Sequence, residues 1–258
     1  MSGPILIFDS GVGGLSVIAP MRRQLPNAAL AYACDNAMMP YGTRPDDWLV
    51  TRILSVCSAA VAASGCSVLV LACNTASTLA LDALRDRLAV PVVGTVPAIK
   101  PAAASSRSRH IGLLATSATV SRPYTDRLIR EFAADCRVTR VAADALVGQA
   151  ERLLAGETPD RRIIRDATAP LWSAGDLDTV VLGCTHFPLL GACIAEAAPR
   201  GVRLIDSGEA IARRTAQVVA RPTSRGECDR SFATALDSRL SRALEAFGFD
   251  APQLLSLD

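Results

Sequence analysis

Two short stretches hold the residues best suited to chemistry. In VLACNTAS, residues 70–77, an apolar run ends at Cys73 and gives way to Asn74, Thr75 and Ser77. In VLGCTHFP, residues 181–188, the plan returns: apolar run, small residue, Cys184, then Thr185 and His186. Both thiols are expected just past a buried strand, at a helix N-terminus. Free amides and the positive end of the helix dipole there lower a thiol pKa. Cysteine is also simply a good small core residue. That plain reading is taken for Cys34, Cys57, Cys66, Cys136, Cys193 and Cys228. The repeated context sets Cys73 and Cys184 apart.

Two thiols can do what one cannot. One deprotonates a carbon from one side while the other reprotonates it from the opposite side, which inverts a stereocentre. A free thiol has a pKa of about 8.5, so modest tuning makes one thiolate and one thiol available near neutrality. An acid such as Asp9 and a base such as His186 could assist on opposite sides. Asp9 lies in FDSGVGG, a strand end followed by a glycine-rich turn whose amides could hold an anion. No GK[ST] follows, so this is not a Walker loop. His186 is favoured for a role, whereas His110, in SSRSRHIG, is expected in a surface turn. Zinc ligation by Cys73, Cys184 and His186 stays open as a rival, although no fourth ligand presents itself. A Cys–His hydrolase would leave one of the two cysteines unexplained.

Elements must then position these residues. The chain has 258 residues, half of them hydrophobic, enough for one large domain or two smaller ones. Its net charge is +2 with no basic stripe, so nucleic acid is not indicated. It starts directly on a strand-like run without a signal-peptide pattern and holds no CxxC, which points to a reduced, cytoplasmic setting. The uncharged segment 56–73 is interrupted by Ser58, Ser64, Gly65 and Ser67, and reads as helix end, turn and strand rather than a membrane span. Lys100 is the single lysine, and it sits in VPAIKPAA with no phosphate-cradling loop. A pyridoxal phosphate Schiff base therefore has poor support, and no cofactor or metal is expected.

Short apolar runs alternate with helical patterns from Ile5 to Val219. Strands are expected at 5–8, 29–33, 68–71, 92–93, 111–114, 138–141, 180–182 and 202–205. Helices are expected at 15–24, 46–63, 76–88, 124–134, 159–174, 188–197 and 209–219, with VPAIKPAAA as a crossing segment. Such alternation implies an α/β fold of two similar doubly wound, mainly parallel-sheet domains facing across a cleft. The expected division is residues 1–96 with 207–258, and residues 97–206, with the active site between them. Asp9, Cys73 and Cys184 all fall past the carboxyl ends of strands, where such sheets bind ligands.

FDSGVGGLSV, DNAMMPYG, LACNTAS, LGCTHFP and LIDSGEAIARR, spread over residues 8–214, closely resemble the cofactor-independent aspartate/glutamate racemases, in particular the glutamate racemases. The resemblance implies that Cys73 takes the α-proton of D-glutamate and Cys184 that of L-glutamate. It implies substrate contacts from Asp9, Ser10, Tyr41, Gly42, Asn74, Thr75, Thr185 and His186, and a further acidic residue, Glu151, near the site. It also implies a small-molecule substrate, a homodimer, and supply of D-glutamate for peptidoglycan. A racemase of aspartate or a related acid is the alternative enzyme. A nonenzymatic acidic-metabolite binder, or a thiol-based zinc or redox sensor, is the alternative of another class.

Overall fold

The structure, a computed structural model, describes residues 2–173, 175–226 and 229–257, so Cys228 lies outside the described residues. The strands among them are β1 (Ile5–Asp9), β2 (Leu30–Cys34), β3 (Val68–Leu71), β4 (Val92–Gly94), β5 (His110–Ala115), β6 (Arg137–Ala142), β7 (Thr179–Leu182), β8 (Arg203–Ile205), β9 (Arg230–Ala233) and β10 (Gln253–Leu254). Two compact units result: Met1–Thr95 with Gly208–Asp258, and Val96–Ser207.

The first unit holds a six-stranded sheet in the order β10-β9-β2-β1-β3-β4, parallel at every pairing. Every residue of β1, β2 and β3 is buried, which explains why these runs are apolar without alternation. The helix Asp46–Ser64 covers one face. It stops at Gly65, whose φ of 61° is the left-handed conformation that glycine reaches without strain. Its length and hydropathy would suffice to cross a membrane. Instead Leu49, Ile53, Val56 and Ala60 pack into a core with Leu6, Phe8, Leu69 and Leu71. The segment after Val219, in which no strand is expected from sequence, supplies β9, β10 and the helix Ser238–Ala246 to this unit.

The second unit holds a four-stranded parallel sheet in the order β6-β5-β7-β8. The first unit contains the same order as β2-β1-β3-β4. In both, the chain leaves its first strand to one side for the second strand and to the other side for the third. That reversal is the switch point where open α/β sheets bind ligands.

Three expectations need correction. VPAIKPAAA is not a bare crossing segment, because Ile99–Ser105 forms a helix. Pro101 is tolerated there because it falls in the first turn, whose N–H groups have no intrahelical partner. His110 is not in a surface turn. It opens β5 and is 1% exposed, with Nδ1 2.5 Å from Asp176 Oδ1 and Nε2 2.8 Å from Thr139 Oγ1. A helix at Ala145–Leu154, absent from the expected elements, carries Glu151.

Candidate active site

In the first unit the site grows from the carboxyl ends of β1 and β3, which are neighbours. Register pairs Phe8 with Leu71, and the Ala72 amide donates to the Phe8 carbonyl at 2.8 Å. The strand pairing thus extends one residue past β3 and stops at Cys73. Cys73 then stands as the residue preceding the helix Asn74–Arg87. That puts it at the N-terminus of a fourteen-residue helix, where the first amides have no intrahelical partner, although its side chain makes no cap hydrogen bond to them. Its thiol lies 3.8 Å from Ser10 Oγ, and the Ser10 hydroxyl lies 3.4 Å from Asp9 Oδ1. The Gly11 amide donates to the same Asp9 oxygen at 2.9 Å. Asp9 is wholly buried, so these donors do for its charge what water would do outside.

The first turn of that helix is polar and buried. Asn74, Thr75 and Ser77 are each less than a tenth exposed. Ser77 Oγ donates to the Leu71 carbonyl at 2.9 Å and accepts from the Thr95 amide at 2.9 Å. Asn74 Oδ1 is buried without a hydrogen-bond partner. An unmet acceptor at such a place costs about 1–3 kcal/mol, a cost that a bound donor would relieve.

Tyr41 belongs to the core cluster that contains Cys73. Its hydroxyl donates to Asp35 Oδ2 at 2.8 Å. Asp35 is wholly buried and takes a two-pronged contact from Arg52, at 2.8 and 2.7 Å, with Thr234 Oγ1 at 2.7 Å. Burial, with Asp35 as second cause, pushes the Tyr41 phenol well above its usual range, so it stays a neutral donor. Asp35, Arg52 and Thr234 form a support behind Tyr41 and Gly42 that the sequence does not announce. Asp35 stands in DNAMMPYG, but nothing local to that motif names its partners.

The second unit builds a matching strand end. Leu114 pairs with Leu182, and the Gly183 amide donates to the Leu114 carbonyl at 2.7 Å. The pairing again runs one residue past the strand and delivers a cysteine, Cys184. Position 183 is crowded: a Cβ there would lie 2.9 Å from Leu113 Cδ1 and 3.0 Å from Ala115 Cβ. Here the expectation of a helix N-terminus is met only loosely. Cys184 sits in a turn, its carbonyl accepting from the Phe187 amide at 3.0 Å, ahead of a 3-10 helix at Phe187–Leu190 that runs straight on into the helix Gly191–Ala197. Two residues separate Cys184 from the first helical position, whereas Cys73 directly precedes its helix, so Cys184 depends more on side chains.

Those side chains are present. Cys184 Sγ lies 3.8 Å from His186 Nδ1, and His186 Nε2 lies 2.9 Å from Glu151 Oε1. The tautomer with its proton on Nε2 donates to Glu151 and turns the Nδ1 lone pair toward the sulfur. Thr185, Cys184 and His186 are each under a tenth exposed, while the Glu151 side chain is a quarter exposed.

The remaining thiols differ in kind. Burial pushes Cys57 and Cys66 up; Cys57 lies inside the helix Asp46–Ser64, Cys66 stands before β3, and Cys34 closes β2 with its sulfur 3.9 Å from the Phe232 carbonyl of β9. A cavity of about 630 Å³ in the first unit lies between the outer face of Asp46–Ser64 and β10, and no candidate residue lines it. Polar chemistry, not cavity size, singles out the Cys73 end of the sheet.

The chain matches a family model described as Asp/Glu/Hydantoin racemase over residues 13–215. The glutamate racemase of Shewanella loihica is 46% identical over 253 residues, covering 96% of this chain and 94% of its own. That of Pectobacterium carotovorum is 44% identical over 260 residues, covering 98% and 91%. Among solved structures, Escherichia coli glutamate racemase in complex with L-glutamate and the activator UDP-MurNAc-ala superposes with a TM-score of 0.94 at 40% identity, over 99% of both chains. Thermus thermophilus glutamate racemase in complex with β-chloro-D-alanine superposes with a TM-score of 0.79 at 32% identity, over 99% and 97%.

Proposed function

Because the chain belongs to the Asp/Glu/Hydantoin racemase family, we propose that it interconverts L- and D-glutamate by two-thiol proton transfer at the α-carbon. One observation carries the reading. Each unit delivers a cysteine at the same point of the same four-strand motif, and each cysteine has its own acid–base partners. Cys73 is backed by Ser10 and Asp9, and Cys184 by His186 and Glu151.

For L-glutamate, the Cys184 thiolate takes the α-proton and becomes a thiol. The Cys73 thiol gives its proton to the opposite face and becomes a thiolate. The pair ends with its protonation states exchanged, which is the state ready for D-glutamate. His186, held by Glu151, and Asp9, held by Gly11, move protons to and from the sulfurs between turnovers. Asn74, Thr75, Tyr41 and Gly42 on one unit, and Thr185 on the other, suit the two carboxylates, while Asp9 also suits the ammonium group.

The reading requires both thiols to serve one α-carbon. It therefore includes two domains, 1–96 with 207–258 and 97–206, with the active site between them, and a homodimer as the working form. Both sulfurs must stay free, which suits a reducing cytoplasm and a role in supplying D-glutamate for peptidoglycan. The test is polarimetric or chiral chromatographic assay with both enantiomers of glutamate, aspartate and glutamine. Turnover of both glutamate enantiomers at equal kcat/KM, with aspartate and glutamine far slower, is expected. Faster aspartate turnover would reassign the substrate, and no turnover of any would defeat the reading.

A further inference from the structure

Tyr32 is a fully buried phenol on β2, and its hydroxyl donates to the Gly11 carbonyl at 2.7 Å. The Gly11 amide in turn donates to Asp9 Oδ1 at 2.9 Å. One residue of the glycine turn is thus held from behind by Tyr32 and holds Asp9 in front. The fit leaves little slack: a Cβ on Gly14 would lie 2.9 Å from the Tyr32 hydroxyl and 3.0 Å from Asp9 Cβ. The ring itself is fixed. Tyr32 pairs with Ile7 on one side and Ser231 on the other, and its centroid lies 5.8 Å from that of Phe249. An apolar ring would satisfy that packing equally well. The hydroxyl is what packing does not require.

We propose that Tyr32 is a positioning residue for racemisation: its hydroxyl fixes the Gly11 carbonyl, and with it the residue whose amide sets the Asp9 carboxylate behind the Ser10–Cys73 pair. The inference rests on the roles given to Asp9 and Cys73 above. Its consequence is asymmetric. Losing the hydroxyl slows the proton transfer at Cys73 and leaves the one at Cys184 as it was. The two enantiomers are equally stable, so kcat/KM falls equally in both directions and rates alone do not reveal which step has slowed. Isotopes do. α-Deuterated D-glutamate loses its deuteron to Cys73, and α-deuterated L-glutamate loses it to Cys184.

The experiment compares Tyr32→Phe with wild type on both deuterated enantiomers. The variant is expected to lose about tenfold in kcat/KM, the scale of a small misplacement of a reacting group. Its isotope effect on kcat/KM should rise for D-glutamate and fall for L-glutamate. A residue that only packs would change rate or melting temperature without moving the two isotope effects apart. Gly14→Ala crowds both the Tyr32 hydroxyl and Asp9 Cβ, so it displaces Asp9 directly and serves as the positive control for the split, while Tyr32→Met, likewise without a hydroxyl, serves if Tyr32→Phe does not fold. Asp9→Asn separates the two levels of inference. If Asp9→Asn splits the isotope effects and the Tyr32 variants do not, the positioning role is wrong and the reading of Asp9 stands. If Asp9→Asn leaves them unsplit, the reading of Asp9 fails and the role of Tyr32 fails with it.

Discussion

At the scale of single residues, the two units support their thiols by different means. Cys73 directly precedes its helix, whereas Cys184 stands two residues short of the helical run Phe187–Ala197 and has a histidine beside it. Loss of His186 should therefore hurt more than loss of any one neutral neighbour of Cys73. His186→Asn is expected to lower kcat/KM by about 10²–10⁴, the usual range for a general acid–base group. Glu151→Gln keeps an oxygen that can accept from His186 Nε2, so it should cost only about threefold. Glu151→Leu removes that acceptor and should cost about tenfold, by freeing the imidazole tautomer and orientation. Steady-state kinetics on both enantiomers checks the series, and a Glu151→Leu variant as active as wild type would remove Glu151 from the site. Gly183 makes a second case. Gly183→Val places methyl groups against Leu113 and Ala115 and must displace Cys184, whereas the matching position in the first unit already carries a side chain, Ala72. A loss of about 10²-fold in kcat is expected, together with a lowered melting temperature from overpacking of about 1–3 kcal/mol.

At the scale of elements, the strands beside the thiols are legible because burial on both faces makes them unbroken apolar runs. The turns after them are legible because small and polar residues follow at once. Other elements hide for physical reasons. Helix Ala145–Leu154 is ten residues long, carries Gly148 inside it and has no side-chain cap, so its local signal is weak. β9 and β10 are four and two residues long and gain their stability from the sheet they join. His110 follows a run of serines and arginines, and Asp176, Thr139 and Arg137, brought from further along the chain, satisfy its ring where it is buried. Asp35 is similar: its charge is tolerable inside because Arg52 and Thr234 reach it from other elements. Asp35→Ala would leave the mostly buried Arg52 without its partner. It should destabilise the protein by about 3–5 kcal/mol, read by urea unfolding. Asp178 gives a pH signature in the second unit. Burial works to raise its carboxyl, but donors on Ser108, Ser106, Thr179 and Arg107 outweigh burial and hold it well below the usual carboxylate range. A depressed folded pKa stabilises fully above the unfolded value of about 3.9 and ceases to do so as pH falls toward the folded one. Melting temperature should therefore drop more steeply below about pH 4 for wild type than for Asp178→Asn, and parallel acid limbs would contradict this clamp.

At the scale of the whole molecule, the proposed mechanism draws on both units. On that mechanism each thiol acts once per turnover, one as base and one as acid, so removing either should stop racemisation in both directions. The two losses should not add, because the residues work as one device. Heavy water separates this account from a single-base one. Starting from L-glutamate, wild type should place deuterium at the α-carbon of the D product, delivered by Cys73 after exchange with solvent. The unreacted L pool should gain little label early, because the hydron that Cys184 removes is not the one returned to the same face. Cys73→Ala should form no D product, since the donor for that face is gone. Cys184 remains intact in that variant, with its histidine 3.8 Å away, so slow exchange into L-glutamate should persist while inversion is lost. Cys184→Ala should show the mirror result, exchange into D-glutamate with no L product. Equal early labelling of both pools in wild type would mean one base and a freely protonated carbanion. Near-normal racemisation by either alanine variant would mean that the second thiol is a repeat of the fold and not of the chemistry.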